Sequence, residues 1–371
     1  MNITFRADAS LHIGTGHVMR CLTLADALSA QSANCQFICR QHEGHLIELI
    51  RCKGYVVHVL TAQNTDVEAK TKALPSTDKL AHSHWLGTSQ AQDAAACAPI
   101  LAMQPPDWLV VDHYALDTRW ESALMLHYRK LMVIDDLADR HHVCDLLLDQ
   151  TFDRSANDYR PLVPEHCQLL CGAAYALLRP EFAALRPYSL QRRAQPTLRQ
   201  LLINMGGVDK DNVTGQVLQA LHDCPLPADC HIIVVMGANA PWLDNVREQV
   251  QNMPWPTKVL VGINNMAQIM ADSDLAIGAA GSTSWERCCL GLPTIMLVLA
   301  KNQEKIARSL SEFSVVHLVE VGSLANPLLV PANLIKPQTL QLMIAAATSV
   351  TDGTGTVKVL KKLVEKAFHA N

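Results

Sequence analysis

Hydrophobic positions along the chain fall into short apolar runs that alternate with longer amphipathic stretches. The first run, NITFRAD at 2–8, leads into a segment at 17–31 whose apolar residues recur at helical spacing. Further apolar runs, DWLVVDHY at 107–114 and KLMVIDDLAD at 130–139, end in acidic residues. Alternation of strand-like and helix-like segments is typical of βα units on mostly parallel sheets. The pattern therefore predicts an α/β protein.

The alternation is interrupted once, by a polar segment at 186–199 that contains prolines and arginines and few core-forming residues. This composition is typical of a linker between domains. We therefore predict two doubly wound, Rossmann-like domains, at 1–185 and 200–371, joined by the linker. Within the first domain, residues 61–104 are expected to form an extended loop and then a helix. Because ligands of such sheets bind at the carboxyl ends of the strands, the interdomain cleft is the predicted site.

Composition and charge indicate which binding partners are unsuited to this protein. Of the 371 residues, 49% are hydrophobic and 18% are charged, and the formal net charge is −4. These values predict a large core and give no basic surface for nucleic acid or an anionic membrane. No apolar stretch approaches the roughly 20 residues of a membrane span, and the N-terminus lacks the pattern of a secretion signal. We expect a cytoplasmic protein whose partners include neither nucleic acid nor a membrane.

The twelve cysteines stand mostly singly within apolar segments, and no Cys-x-x-Cys pair occurs. In a reducing compartment such cysteines act as small buried hydrophobic residues, and disulfides or zinc ligation are the less favoured alternatives. The histidine pairs His82/His84 and His141/His142 have no glutamate at metalloprotease spacing. The sequence therefore predicts no metal site.

The first candidate motif is a glycine turn before the segment at 17–31, formed by Gly14 and Gly16. It is no dinucleotide fingerprint, because Met19 stands where the third glycine would be. Free N–H groups at such a turn, together with the helix dipole, can face an anion. His17 is then either a general base or merely a cap of the helix. Arg20, on nearly the same helical face, either pairs with a phosphate or is a solvated side chain.

Two further glycine turns occur in the second half. In GAAGSTSWE at 278–286, Ser282 or Thr283 can cap a helix, forming a seat for a diphosphate, and Glu286 can accept hydrogen bonds from ribose hydroxyls. The alternative is a plain tight turn between strand and helix.

The other turn and a nearby amide pair offer further polar contacts. Gly206 and Gly207 in NMGGVD would let the backbone approach a ligand. The amides of Asn302 and Gln303, at the end of a predicted strand, suit phosphate oxygens or sugar hydroxyls. Asn caps many helices, so by itself this second signal is weak.

Acidic residues at strand ends in the first half are Asp8, Asp112, Asp135 and Asp136. One of them could orient the tautomer of His17, and others could hold sugar substituents. For at least two of the four we favour a role as loop or cap residues.

Taken together, seven motifs resemble those of a known family, the UDP-2,4-diacetamido-2,4,6-trideoxy-β-L-altropyranose hydrolases of pseudaminic acid biosynthesis. The motifs are RADASLHIGTGHVMRCLTLADAL, VVDHY, IDDLADR, LLLDQ, GGVD, GAAGSTSWERCCLGLPTI and KNQ, and the similarity spans roughly residues 1–315. The resemblance implies two domains of the glycosyltransferase B type. It also implies attack of water at the anomeric carbon with inversion and release of UDP, without metal or cofactor. We favour a monomer that acts on a small-molecule UDP-sugar.

The resemblance also implies roles for single residues. His17 corresponds to the general base, and Asn302 to a residue that contacts the pyrophosphate. The remaining implied contacts are Gly281, Ser282 and Thr283 with UDP, Glu286 with the ribose, and Tyr114 with the sugar. The N-terminal domain would then carry the base, and the C-terminal domain would bind UDP. The alternatives from other classes are a UDP-sugar glycosyltransferase with a sugar or lipid acceptor, and a non-enzymatic sensor of nucleotide sugars.

Overall fold

The computed structural model describes residues 1–61, 80–238, 240–324 and 329–368. Most of the loop predicted to begin at residue 61 lies outside these ranges, whereas the helix predicted after it is present. The chain forms two compact units, each built on its own parallel sheet. The predicted class, α/β with two Rossmann-like domains, is confirmed.

The first unit contains a seven-stranded parallel sheet with the order β3–β2–β1–β4–β5–β6–β7. Its strands are β1 (Asn2–Ala7), β2 (Asn34–Arg40), β3 (Val56–Leu60), β4 (Trp108–Asp112), β5 (Lys130–Ile134), β6 (Leu146–Asp149) and β7 (Gln168–Cys171). Helices α1 (Gly16–Ser29), α2 (Ile47–Cys52), α3 (Gln90–Met103) and α4 (Thr118–Ala123) connect them. The strand order changes direction between β1 and β4, whose neighbouring ends include the pair Ala7 and Asp112. Such a switch point leaves a crevice at the carboxyl ends of the strands.

The second unit repeats this plan with six parallel strands in the order β10–β9–β8–β11–β12–β13. Its strands are β8 (Gln200–Asn204), β9 (His231–Met236), β10 (Thr257–Val261), β11 (Leu275–Ala279), β12 (Thr294–Leu297) and β13 (Val316–Val319). Its helices are α5 (Pro180–Arg192), α6 (Val213–Leu221), α7 (Leu243–Gln249), α8 (Met266–Asp272), α9 (Thr283–Cys289), α10 (Glu304–Glu312) and α11 (Pro337–Val350). Here the switch point lies between β8 and β11, so the turns after these strands share one edge.

The first half of the predicted linker at 186–199 is helical, since α5 extends to Arg192. Its arginines are used inside the second unit. The Arg193 guanidinium is buried and donates to the carbonyl oxygens of Met270 and Ser273, at the C-terminal end of α8. Arg186 donates to the carbonyl oxygen of Thr348 in α11. The arginines that made this segment look like a linker therefore donate hydrogen bonds to carbonyl groups that are left free at helix ends.

The C-terminal boundary also differs from the prediction. The last helix, α12 (Gly355–Phe368), passes into the first unit from Val357 onward, although residues 200–371 were expected to form one domain. The Trp108 indole N–H donates to the carbonyl oxygen of Leu363, and the Leu363 side chain is fully buried. The second unit begins near Gly172, before the predicted boundary at 185.

All twelve cysteines lie within the described residues, and each is a free thiol. Nine of them are buried, which confirms their interpretation as small core residues. Among the described helices, none has both the length and the hydropathy that crossing a bilayer would require.

Candidate active site

The loop after β1 sets the direction in which α1 starts. The Ser10 hydroxyl accepts hydrogen bonds from the N–H groups of His12 and Ile13, and the Gly14 N–H donates to the Ser10 carbonyl oxygen. Gly14 has φ +80°, a conformation that glycine adopts without strain. Its N–H group is therefore used within the loop and not for the predicted anion.

Helix α1 begins at Gly16, and Thr15 at the N-cap makes no side-chain hydrogen bond to it. The N-terminal N–H groups of α1 are therefore not capped by that side chain. His17 is the second residue of the helix and is 8% exposed. The helix start thus points the imidazole toward the switch point between β1 and β4.

Asp112 is the acid that orients His17. Its Oδ1 lies 2.6 Å from Nδ1 of the imidazole, and the carboxylate is fully buried at the end of β4. Since Nδ1 faces a carboxylate, that nitrogen carries the proton in the neutral ring, and Nε2 is left as the basic nitrogen. The sequence placed Asp112 among four candidate acids but did not distinguish it.

Arg20 lies between two carboxylates. Its Nε and Nη2 donate to the two oxygens of Asp112, at 2.6 Å and 2.7 Å, and its Nη1 donates to Asp136 Oδ2 at 2.6 Å. The guanidinium is only 6% exposed. Three of the five N–H donors of Arg20 are thus engaged by the protein's own acids, and its pairing with a phosphate stays a prediction.

Tyr114 joins the same cluster from the loop after β4. Its hydroxyl donates to Asp136 Oδ2 at 2.6 Å, and its ring meets the His17 ring edge-on, with centroids 4.6 Å apart. Trp85 stacks against Tyr114 at 5.6 Å, and His82 lies 4.4 Å from Trp85 between ring centroids. Sequence analysis did not name Trp85, which lies in a stretch without motifs, and it considered His82 only as half of a histidine pair that binds no metal. A lone tryptophan in a polar segment was the only available signal.

Burial and charge set the protonation of this cluster. Burial alone would raise the pKa of Asp112, but the charge of Arg20 and the contact with His17 hold it well below its usual range. Burial raises the pKa of the Tyr114 phenol, and the nearby Asp136 carboxylate raises it further. At neutral pH the cluster therefore holds an ionised Asp112 and a protonated Tyr114.

The other two candidate acids, Asp8 and Asp135, also pair with groups of the protein. Asp8 is fully buried, accepts hydrogen bonds from Arg6 and from the Arg40 N–H, and lies 3.3 Å from His113. Asp135 forms a buried ion pair with Arg140. The contact of Asp8 with a substrate stays a prediction.

In the second unit, polar groups in and after the turn that follows β8 form hydrogen bonds within the protein. Gly206 has φ +92°, and the two carboxylate oxygens of Asp209 accept hydrogen bonds from the N–H groups of Val213 and Thr214 in α6. A side chain on Gly237 would collide with the Gly207 carbonyl oxygen. The backbone of Gly207 thus packs closely against the backbone of Gly237.

The turn after β11 forms fewer hydrogen bonds within the protein. Ser282 takes the N-cap position of α9, but its backbone is already helical and its hydroxyl caps nothing, contrary to the prediction. The Gly281 N–H donates to the Ser284 hydroxyl at 3.2 Å. Beneath the turn lies Arg287, which donates to the carbonyl oxygen of Ala279 at 2.8 Å and is almost fully buried.

Glu286 follows in the first turns of α9. Burial raises its pKa to about 7, although Arg179, whose Nη2 is 3.7 Å from the carboxylate, opposes this shift. The carboxyl group therefore changes its charge near neutral pH.

Asn302 and Gln303 lie in a short 3₁₀ turn after β12. The Gln303 amide oxygen accepts a hydrogen bond from the Leu299 N–H, so it helps to hold this turn. The Asn302 amide has no hydrogen bond to any residue in the described part of the chain. β11 and β12 are neighbours, so their turns meet at one edge of the sheet.

No group of three or more His, Cys, Asp or Glu within the described ranges is arranged to hold a metal ion. That the protein needs no metal or cofactor stays a prediction.

The two parallel sheets with flanking helices place the protein in the class of glycosyltransferase B folds. Residues 201–325 match the model of the glycosyltransferase family 28 C-terminal domain. The crystal structure of MurG from Acinetobacter baumannii superposes with a TM-score of 0.70, at 14% identity, over 98% of this chain and 99% of that chain. UDP-GlcNAc 2-epimerase from Neisseria meningitidis gives a TM-score of 0.57 at 12% identity, over 98% and 100% of the two chains.

A curated relative is similar along most of the chain. It is the UDP-2,4-diacetamido-2,4,6-trideoxy-β-L-altropyranose hydrolase of Campylobacter jejuni, 27% identical over 84% of this chain and 97% of its own length. The resemblance inferred from the motifs is thereby confirmed.

Proposed function

We propose that this protein hydrolyses a UDP-linked 2,4-diacetamido-2,4,6-trideoxy sugar of altrose configuration to the free sugar and UDP, in pseudaminic acid biosynthesis. The observation that carries the proposal is the 2.6 Å contact between His17 Nδ1 and Asp112. This contact places the proton of the neutral imidazole on Nδ1 and leaves Nε2 free to act as a base. The name of the Campylobacter jejuni relative, which describes this hydrolysis, also supports the proposal.

The proposed reaction is a single displacement at the anomeric carbon. A water oxygen forms a bond to C1 while the bond from C1 to the diphosphate oxygen breaks, and the electron pair of that bond leaves on UDP. His17 Nε2 takes the proton from the water, and the Asp112 carboxylate stabilises the imidazolium. Attack from the face opposite the leaving group inverts the configuration.

The second unit would supply the groups that bind UDP. The N–H groups of the turn after β11 and the unoccupied amide of Asn302 suit the diphosphate oxygens, while Glu286 suits the ribose hydroxyls. Tyr114, Trp85 and His82 would form an aromatic wall beside the base for the sugar. This assignment routes no step through a metal ion.

Replacement of the base and of its partner tests the proposal. We expect His17→Phe to remove most turnover and to leave the affinity for UDP-sugar within about threefold, because the imidazole acts on water. Asp112→Asn should lower kcat by roughly 10²- to 10⁴-fold, because an amide no longer fixes the tautomer.

Proton NMR with the diacetamido UDP-sugar and EDTA present would measure turnover and identify the first-formed anomer. A retained anomer, or loss of activity with the chelator, would contradict the mechanism. Equal loss of binding and turnover in His17→Phe would make His17 a binding residue only.

A UDP-sugar glycosyltransferase is the second candidate, favoured by the match of residues 201–325 to a glycosyltransferase domain. The two activities differ in their need for an acceptor. Release of UDP and free sugar in the absence of any acceptor supports the hydrolase, whereas release only with an added sugar or lipid acceptor supports the transferase.

A further inference from the structure

The side chains around His17 form a closed ring of contacts. His17 contacts Asp112, Asp112 binds Arg20, Arg20 binds Asp136, Asp136 accepts the Tyr114 hydroxyl, and the Tyr114 ring returns to His17. Four of these five contacts are hydrogen bonds, and in each of the four the shortest donor–acceptor distance is 2.6 Å. The ring is built from α1, the end of β4 and the segments that follow β4 and β5.

We propose that Arg20 is a positioning residue that does not bind the substrate but holds the Asp112 carboxylate ionised and fixed on Nδ1 of His17. The inference rests on the proposed function, in which His17 is the base. Both oxygens of Asp112 are engaged by the same guanidinium, a two-pronged geometry that lysine cannot reproduce. The third arm of Arg20, on Asp136, fixes the guanidinium itself.

The charges of the ring explain why this matters for the base. Arg20 binds both oxygens of the Asp112 carboxylate, and the same carboxylate contacts Nδ1 of His17. When His17 takes a proton from water in the proposed reaction, the imidazolium therefore forms against a fixed negative charge, which stabilises it. Of the two acids, Asp112 is the one that touches the imidazole.

Loss of Arg20 would leave the fully buried Asp112 carboxylate and the largely buried Asp136 carboxylate without the guanidinium that both contact. One of them would then take up a proton, because like charges in a buried site cannot both remain ionised. If Asp112 is protonated, its O–H donates to Nδ1, and the ring proton moves to Nε2. The imidazole could then no longer accept a proton from water through Nε2.

Other titratable groups in contact with Asp112 are few. The Cys21 thiol lies 3.6 Å from Oδ2, and burial together with Asp112 raises its pKa well above the usual range, so it stays neutral. Tyr114 is likewise protonated. His17 and Arg20 are therefore the charged or chargeable partners that respond to the state of Asp112.

The test compares Arg20→Met with Arg20→Lys across pH 6 to 9. We expect Arg20→Met to lower kcat at pH 7 by roughly 100-fold, with KM within about threefold, because the substrate is bound by other groups. Activity of this variant should recover as the pH rises and Asp112 ionises. Arg20→Lys keeps the charge but not the two-pronged bond, and should fall between Arg20→Met and the unmodified protein.

A rise of KM of tenfold or more in Arg20→Met, with kcat little changed, would overturn the inference and make Arg20 a ligand of the diphosphate. An unaltered pH profile would overturn it as well. Where Arg20→Met does not fold, as judged by its melting temperature, Asp136→Asn removes the second anchor without touching Asp112 and should give a smaller loss of the same kind.

Imidazole ¹⁵N NMR separates this inference from the proposed function. With no substrate present, the unmodified protein should show His17 protonated on Nδ1, assigned by comparison with His17→Gln, and Arg20→Met should shift the proton to Nε2. If the enzyme hydrolyses no UDP-sugar but this shift occurs, the proposed function fails and the positioning role stands. If hydrolysis occurs but the tautomer is the same in both proteins, the positioning role fails.

Discussion

At the scale of single residues, Glu286 gives the second unit a sensitivity to pH near neutrality. Burial raises the pKa of this carboxyl group to about 7, so it is mostly protonated at pH 6 and mostly ionised at pH 8. A carboxylate accepts hydrogen bonds from ribose hydroxyls more strongly than a neutral carboxyl group does. Affinity for the nucleoside should therefore increase as the pH rises.

Titration calorimetry with uridine measures this effect without interference from the ionisation of the diphosphate. We expect binding to the unmodified protein to weaken by about tenfold between pH 8 and pH 6. Glu286→Gln, which has no charge to lose, should show the same affinity at both values. A parallel pH dependence in the two proteins would show that Glu286 does not contact the ribose.

The sequence was informative about residues next to glycine turns and silent about their partners. His17 could be named from its local motif, and Tyr114 from the family resemblance. The choice of Asp112 over three other acids depends on the adjacency of β1 and β4, which no local pattern encodes. The partners of Arg20 were hidden for the same reason, because Asp136 lies 116 residues away along the chain.

At the scale of elements, Gly278 in β11 and Arg287 in α9 pack closely on either side of the turn that joins them. A side chain on Gly278 would collide with Nη1 of Arg287 and would lie 3.0 Å from the Asn204 carbonyl oxygen. No carboxylate in the described residues lies within ion-pair distance of Arg287. Burial lowers the pKa of Arg287 to about 10, which still leaves it charged at neutral pH.

This geometry predicts a coupling between the two positions. Gly278→Ala should lower the free energy of unfolding by about 1–3 kcal/mol, because the added methyl group must displace the guanidinium. In the background of Arg287→Met, the same substitution should cost at least about 1 kcal/mol less. Denaturant unfolding of the two single variants and the double variant measures the difference.

Gly281→Ala, in the turn that follows β11, is a matched control. A Cβ atom there meets no atom within 4 Å, so we expect a change of less than about 0.5 kcal/mol. An equal cost of Gly278→Ala in both backgrounds would show that the Asn204 carbonyl, and not Arg287, makes glycine necessary at 278.

The alternation of strands and helices was predictable because each element has its own periodicity. The helical nature of 186–192 was not, because its arginines look solvated in sequence. In the structure, Arg193 and Arg186 bind carbonyl oxygens at the ends of other helices. Composition distinguishes polar from apolar residues but does not reveal which carbonyl groups remain to be satisfied.

At the scale of the whole molecule, the chain builds its first unit from both of its ends. Helix α12 belongs to the sheet that starts at residue 2, and Leu363 is buried there beside Trp108 of β4. Lys366 adds a hydrogen bond to the Asp145 carbonyl oxygen, just before β6. From the sequence, all of residues 200–371, and with them this helix, were assigned to the second domain.

The position of α12 predicts which unit responds to a change in that helix. Leu363→Ala should destabilise the first unit by about 2–5 kcal/mol, because it removes a fully buried side chain. Hydrogen exchange would show the loss of protection in β4 and β5, while β8 and β11 of the second unit keep theirs. Lys361→Ala, at an exposed position of the same helix, should leave both sheets protected. If exchange instead quickens in β8 and β11, the C-terminal helix stabilises the second unit, as its place in the sequence first suggested, and the first unit ends at Cys171.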